Sequence, residues 1–103
     1  MVNLDKLLWF LIVGSRGGIN RARIISSLRD LPKNTNQLSE YLHLDYKTVA
    51  HHLKVLKKNS MITEEGDGYG NVYFLSRHLD RNYAVFENIR QRLPDFQVSQ
   101  EDN

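Results

Sequence analysis

The chain has 103 residues, 41% of them hydrophobic and 25% charged, which suits one ordinary globular domain with a modest core. It contains no cysteine, which excludes a disulfide framework, a thiolate metal site and a cysteine nucleophile. The net charge is only +2, but residues 16–58 carry nine basic and three acidic residues, whereas the remainder carries five basic and nine acidic ones. This asymmetry predicts a polyanion-binding face, with a lysine-rich solvated surface as the alternative.

An apolar run, LLWFLIV, occupies residues 7–13. It is too short to span a membrane, which takes about 20 residues. A signal peptide needs a basic start and a small-residue cleavage site. Here the charge of Asp5 balances that of Lys6 before the run, and SRGG follows it, so a signal peptide is the minor alternative. We predict a buried helix over residues 4–13 that Gly14 ends. Because it is apolar nearly all round, this helix must be covered on more than one side, by the core and a second subunit or by the core alone.

The second predicted helix covers residues 21–31, with Asn20 as its N-cap and Pro32 as its stop. Its inner face repeats at helical spacing and consists of Ile24, Ile25, Leu28 and Leu31.

A short helix over residues 36–42 comes next. Asn34 followed by Gln37 resembles a capping box, and Thr35 is the alternative cap. Residues 43–45 then form a three-residue turn.

Asp45 is a good N-cap for the following helix, residues 46–58, and Asn59 can take the left-handed position after it. Two helices joined by a three-residue turn form a helix-turn-helix.

After this helix the period changes. Residues 61–65 and 72–76 predict a two-stranded hairpin around GDGYG, and residues 80–93 predict a last helix. The fold class is therefore mainly α with a small β-hairpin, a winged helix-turn-helix of order α-α-α-turn-α-β-β-α. We predict a single domain over residues 1–93 and a flexible polar tail over residues 94–103.

The helix over residues 46–58 is strongly two-sided. Val49, Leu53 and Leu56 cluster on one side, while basic and hydrogen-bonding residues point the other way, as in a helix that enters the DNA major groove. Lysines late in the helix, Lys57 among them, suit phosphates, and neutral groups of the hairpin can reach the DNA backbone. The predicted DNA-binding residues are Tyr46, Lys47, Thr48, His51, Lys54, Lys58, Tyr69 and Asn71.

The adjacent histidines of this helix cannot share one task, because neighbouring helical side chains point about 100° apart. We expect His51 to face outward toward DNA. We expect His52, beside Leu53 and Leu56, to pack inward and bond a nearby backbone group.

The run LSEYLHLDYKTVAHHLKVLKKNSMI, residues 38–62, resembles the core motif of the ArsR-type winged-helix transcriptional regulators. The lead-in SRGGINRARI also resembles a group of small archaeal regulators. The resemblance spans about residues 16–76. It implies a homodimer joined through the first and last helices, and we expect the protein to be cytoplasmic. The residues expected at that interface are Leu4, Leu7, Leu8, Leu11, Tyr83 and Phe86.

The sequence also departs from that family. It lacks the metal-sensing cysteines, and no second histidine accompanies His78, Asp80 and Glu87, so we expect no metal and no cofactor. His43 and Ser60 stand where the family usually has glycine.

The wing carries Glu64, Glu65 and Asp67, which repel phosphate, so we expect it to contribute weakly to DNA binding.

These observations favour a sequence-specific, homodimeric regulator that binds double-stranded DNA. A winged helix used as a protein-interaction module and a sequence-independent, chromatin-like DNA binder are the alternatives. An enzyme is not expected, because paired carboxylates, a nucleophile–base set and a phosphate loop are all missing at usable spacing. We expect no membrane partner, and the residues leave open whether a small-molecule effector exists.

Overall fold

The computed structural model of the protein describes residues 3–94, along which six helices and three strands follow one another. They are α1 (Leu4–Ile12), α2 (Gly18–Asp30), β1 (Lys33–Asn34), α3 (Thr35–Leu42), α4 (Tyr46–Lys58), β2 (Ile62–Glu65), β3 (Val72–Leu75), α5 (Arg77–Arg81) and α6 (Tyr83–Arg90). Helices α3 and α4 with the turn between them, followed by the β2–β3 hairpin, form the predicted winged helix-turn-helix.

Side-chain caps fix the starts of α3 and α4. The Asn34 side chain accepts a hydrogen bond from the Gln37 backbone N–H at 2.8 Å, and the Gln37 side chain accepts from the Asn34 N–H at 2.8 Å. The predicted capping box is therefore confirmed and its alternative, a Thr35 cap, is wrong. Asp45 caps α4, as predicted, by accepting from the N–H groups of Lys47 and Thr48.

The predicted start of the second helix is wrong. Helix α2 begins at Gly18 after a left-handed Gly17, and Asn20 lies within the first turn, where its side chain accepts from Arg23 Nη1 at 3.1 Å. The earlier start depends on glycine, because a Cβ at Gly18 would lie 1.7 Å from the Ile12 carbonyl oxygen. The link from α1 to α2 is therefore shorter and tighter than the cap pattern indicates.

The wing is a three-stranded antiparallel sheet in the order β1-β3-β2, rather than a two-stranded hairpin. Both hairpin strands are confirmed, with Ile62 opposite Leu75 and Glu65 opposite Val72. The additional strand pairs Lys33 with Tyr73. A strand of two residues has no period to detect, so only the pairing with β3 reveals it.

The last helical region is two helices and not one over residues 80–93. The Ser76 side chain caps α5 by accepting from the Leu79 N–H at 3.2 Å, and Asn82, with φ −115° and ψ 32°, separates α5 from α6. The Asn82 side chain also donates to the His78 carbonyl at 2.9 Å, and such a local bond competes with helix continuation.

One apolar core joins the helices to the sheet, and α1 packs against both α2 and α6. Its largest fully buried side chains are Phe86, Leu8, Leu11, Ile12, Ile24, Ile25, Leu38, Leu42, Leu53, Leu56, Ile62 and Leu79. Over residues 3–94, every helix is too short or too polar to cross a bilayer. Apart from Pro94, the predicted polar tail lies outside the described residues.

Candidate nucleic-acid interface

Helix α4 turns its apolar side inward and its basic side outward. Val49, Leu53 and Leu56 are buried. The opposite side is exposed, except for a half-buried Thr48, and consists of Tyr46, Lys47, His51, Lys54 and Lys58. Within residues 3–94 none of these three lysines is paired with a carboxylate. Their charges are therefore available to an anionic partner.

The turn before α4 is held by a residue in a left-handed conformation. His43, with φ 57° and ψ 46°, takes the place where the family usually has glycine, and its side chain is exposed. Two hydrogen bonds tie this turn to its surroundings, from Ser39 Oγ to the Leu44 carbonyl at 2.5 Å and from Arg23 Nη2 to the Leu42 carbonyl at 2.6 Å. The turn between α3 and α4 is therefore held by one hydrogen bond within it and one from α2.

At the other end of α4, the predicted left-handed residue is wrong. Asn59 has φ −97°, and Ser60 takes the positive φ of 64° instead. The Asn59 side chain donates to the Val55 carbonyl at 2.8 Å and so provides a partner for a carbonyl in the last turn of the helix.

The two histidines separate as predicted. His51 is exposed on the outward side, whereas His52 is only 6% exposed. The expected backbone partner of His52 is wrong, because its Nδ1 lies 3.2 Å from Arg21 Nη1. A guanidinium can only donate, so His52 accepts at Nδ1 and is neutral. Burial, then the charge of Arg21, then His51 lower the pKa of His52 to about 4.

Arg21 connects the back of α4 to α1. It donates from Nε to the Leu11 carbonyl at 2.9 Å, and from Nη2 to Ser15 Oγ at 2.6 Å and to the Arg16 carbonyl at 3.0 Å. Gly17, with φ 80°, sits against the same group, and a Cβ there would lie 2.6 Å from His52 Cε1. The link between α1 and α2 is therefore held against α4 by the contacts of Arg21 and Gly17 with His52.

The predicted basic face is smaller than the sequence count suggests. Arg21, Arg23 and Lys33 are 5%, 5% and 8% exposed, and burial lowers the pKa of each. Each donates to carbonyls at a helix end, where the macrodipole favours a cation; Lys33 Nζ reaches the Ser27 and Leu31 carbonyls at 3.0 and 3.1 Å. Arg29 is paired with Asp80 at 3.5 Å. Within residues 16–58, the exposed basic side chains other than Arg16 and the paired Arg29 therefore lie on α4.

The wing residues differ in what they can offer to DNA. Tyr69 is 90% exposed at the tip. Asn71 is occupied within the wing, since it donates to Glu64 Oε2 at 2.8 Å and accepts from the Gly68 N–H at 2.9 Å. Glu64 is in turn paired with Lys57, whose Nζ lies 2.7 Å from Oε1. Lys57 and Asn71, both predicted to contact the DNA backbone, are thus already engaged inside the chain.

The predicted dimer residues divide into two groups. Leu8, Leu11 and Phe86 are fully buried in the core of the single chain, so they have no surface left for a partner. The half-buried ones are Leu4, Leu7 and Tyr83. The outer side of α1 instead exposes Trp9 (43%) and Phe10 (60%), which the sequence analysis did not single out. The helical spacing of Leu8 and Leu11 could have indicated the exposure of Trp9 and Phe10, because residues between two buried positions of a helix must face another way.

Comparison with known proteins agrees with this geometry. Residues 20–63 match the family model described as bacterial regulatory protein, arsR family. The matched segment contains α3 and α4, and its family is the one that the sequence resembles. No curated protein matches the chain.

Among 15 matching solved chains is a probable transcriptional regulator from Pseudomonas aeruginosa, with 22% identity and a TM-score of 0.59 over 84% of this chain and 72% of that one. At this identity the likeness shows the fold. Together, the matched segment and the fold show a winged helix-turn-helix.

Proposed function

We propose that the protein is a sequence-specific transcriptional regulator that binds double-stranded DNA as a homodimer, with α4 in the major groove. The observation that carries this proposal is the outward side of α4, where Lys47, Lys54 and Lys58 are exposed and have no carboxylate partner among residues 3–94. A helix inserted in the major groove reads bases with its N-terminal residues and meets phosphates farther along.

The side-chain chemistry assigns a role to each part of this surface. Lys47 and His51 lie toward the start of α4 and can donate to guanine, and Thr48 can bond a base or present its methyl group to thymine. Lys54 and Lys58 lie deeper and suit phosphates, which supply affinity without sequence information.

The proposal of a homodimer is supported by the outer side of α1. Trp9 and Phe10 leave a large apolar surface exposed, and aromatic residues are enriched in interfaces. We therefore propose Trp9 and Phe10, with Leu4, Leu7 and Tyr83 at the margin, as the dimer contact. Two copies would then read half-sites about 34 Å apart or a multiple of one helical turn.

A protein-interaction module is the second candidate function. Tyr69 is 90% exposed and stands at the wing tip beside the exposed Glu65 and Asp67. Such a surface suits a protein partner better than a phosphate backbone. The salt dependence of binding distinguishes the two functions. Binding through DNA phosphates weakens steeply as the salt concentration rises, whereas apolar docking of a protein partner does not.

The test is a fluorescence-anisotropy titration against duplex DNA from upstream of the protein's own gene and against a scrambled duplex, each at low and moderate salt. We expect tighter, salt-sensitive binding to the native duplex that the double variant Lys47→Ala/His51→Ala loses. Lys6→Ala/His78→Ala is the matched control, because it removes an exposed lysine and an exposed histidine outside α4. Equal binding to both duplexes would indicate a chromatin-like binder, and no binding at low salt would favour the protein-interaction module.

A further inference from the structure

A chain of side-chain contacts joins α4 to the tip of the wing. Lys57 Nζ lies 2.7 Å from Glu64 Oε1, and Asn71 Nδ2 donates to Glu64 Oε2 at 2.8 Å. The Asn71 Oδ1 then accepts from the Gly68 N–H at 2.9 Å. Both oxygens of Glu64 are therefore engaged, and the carboxylate is held in one orientation between the helix and the hairpin.

Lys57 occupies the side of α4 that faces the wing. It lies eleven residues after Tyr46, close to three helical turns, so both residues project from nearly the same side. Tyr46 and Glu64 line one polar cleft between α4, the start of α3 and the wing. When α4 lies in a major groove and a wing stands beside it, the phosphates at the groove edge run between the two elements. In the proposed complex, Lys57 would therefore lie beside the DNA backbone with its charge already paired with Glu64.

We propose that Glu64 sets the DNA affinity of this protein by occupying Lys57 and keeping its ammonium group out of the phosphate contacts. Glu64 is thus a positioning residue inside the DNA-binding surface, and this inference rests on the proposed function. The acidic wing therefore does more than repel phosphate at a distance, because the Glu64 carboxylate neutralises the Lys57 ammonium group of α4.

The local chemistry favours a persistent pair. Hydrogen bonds from Lys57 and from Asn71 lower the pKa of Glu64, so the carboxylate stays charged at neutral pH. An exposed ion pair contributes little to folding stability, so its main consequence is the charge that DNA meets. Removing the carboxylate frees one cation next to the phosphates, and each additional phosphate contact steepens the salt dependence of binding.

The test compares the salt dependence of DNA affinity in the wild type, Glu64→Gln, Lys57→Gln and the double variant, all as full-length chains. We expect Glu64→Gln to bind about five- to tenfold tighter at moderate salt and to steepen the slope of log K against log salt by about one. Lys57→Gln alone should leave the slope unchanged, and the double variant should return to the wild-type slope.

Glu65→Gln is the matched control, because it removes the same charge one residue along the wing from an exposed side chain outside the Lys57 pair. It should leave the slope unchanged. Equal effects of Glu64→Gln and Glu65→Gln would overturn the inference, as would a flatter slope in Lys57→Gln alone, since Lys57 would then already bind phosphate.

A measurement without DNA separates this inference from the proposed function. The carboxyl carbon of Glu64, followed by NMR through an acid titration, should show a higher pKa in Lys57→Gln than in the wild type. If that pKa rises and none of the proteins binds DNA, the ion pair exists but the proposed function and the role of Glu64 in it both fail. If the pKa does not change, the pair does not form in solution and the inference fails while the proposed function stands.

Discussion

His52 is a buried neutral histidine whose nearest polar partner is a cation. Its Nδ1 accepts from Arg21, and the pKa of His52 is lowered from 6.5 to about 4. The unfolded chain therefore binds a proton at this residue between those two values while the folded chain does not. The contribution of the neutral His52 to the free energy of unfolding is therefore fully present above about pH 6.5, and it is lost as the pH falls toward 4.

We expect the free energy of unfolding to fall by about 1–2 kcal/mol between about pH 7 and pH 5 because of this one residue. Urea denaturation followed by circular dichroism at both pH values measures the loss. His52→Gln should remove most of that pH-dependent part, whatever it does to stability at neutral pH. The exposed His51→Gln is the control and should retain it, and an equal loss in wild type and His52→Gln would contradict the assignment.

The buried cations show how context decides what a charge does. Arg21, Arg23 and Lys33 belong to the basic segment of the sequence, yet each lies below 9% exposure and bonds to carbonyl groups. A count of charges cannot distinguish such residues from Lys47 or Lys54, because the carbonyls that bind them come together only in the folded chain. Fewer basic side chains are therefore exposed than the count suggests, and those of α4 are the ones that we propose bind DNA.

At the scale of elements, the backbone conformation at the end of α3 lowers the free energy of unfolding. His43 is left-handed, a conformation that costs a residue with a side chain roughly 1–2 kcal/mol relative to glycine. We expect His43→Gly to stabilise the protein by about 0.5–1 kcal/mol after the greater flexibility of glycine in the unfolded chain is included. Thermal denaturation measures the gain. His43→Ala should give no gain, and a similar rise in both variants would show that loss of the imidazole, and not the backbone, is responsible.

The wing combines the β2–β3 hairpin with a strand from a distant part of the chain. Strand β1 adds to the hairpin through Lys33 opposite Tyr73, and Lys57 of α4 is bound to Glu64 of β2. These contacts fix the wing against the helix that we propose reads DNA. The hairpin and the helix therefore present one continuous surface.

At the scale of the whole molecule, the outer side of α1 exposes two large apolar side chains within residues 3–94, Trp9 and Phe10. Phe10→Asp should convert the proposed homodimer to a monomer, because a carboxylate cannot be buried in an apolar contact without a partner. Analytical ultracentrifugation measures the change of mass. DNA affinity should fall by about tenfold or more, because two linked half-site contacts become one.

Leu31→Asp is the matched control for the dimer. Leu31 is exposed to the same 60% as Phe10 but lies at the far end of α2 from the α1 link. It should leave the mass unchanged. A wild-type chain that sediments as a monomer at the concentrations used for DNA binding would contradict the dimer, and dissociation by Leu31→Asp would move the interface elsewhere.

The sequence by itself determined the winged helix-turn-helix, because its signals are local. The Asn34–Gln37 capping box, the Asp45 cap and the two-sided pattern of residues 46–58 each act within a few residues, so they can be recognised without the fold. The outward place of His51 and the inward place of His52 follow from the same helical spacing. Only the tertiary structure decided the partner of His52, the burial of Arg21, Arg23 and Lys33, the third strand and the capture of Lys57 by Glu64. The His52–Arg21 contact and the third strand join groups that are far apart in the chain, and burial and charge pairing are properties of the packed molecule.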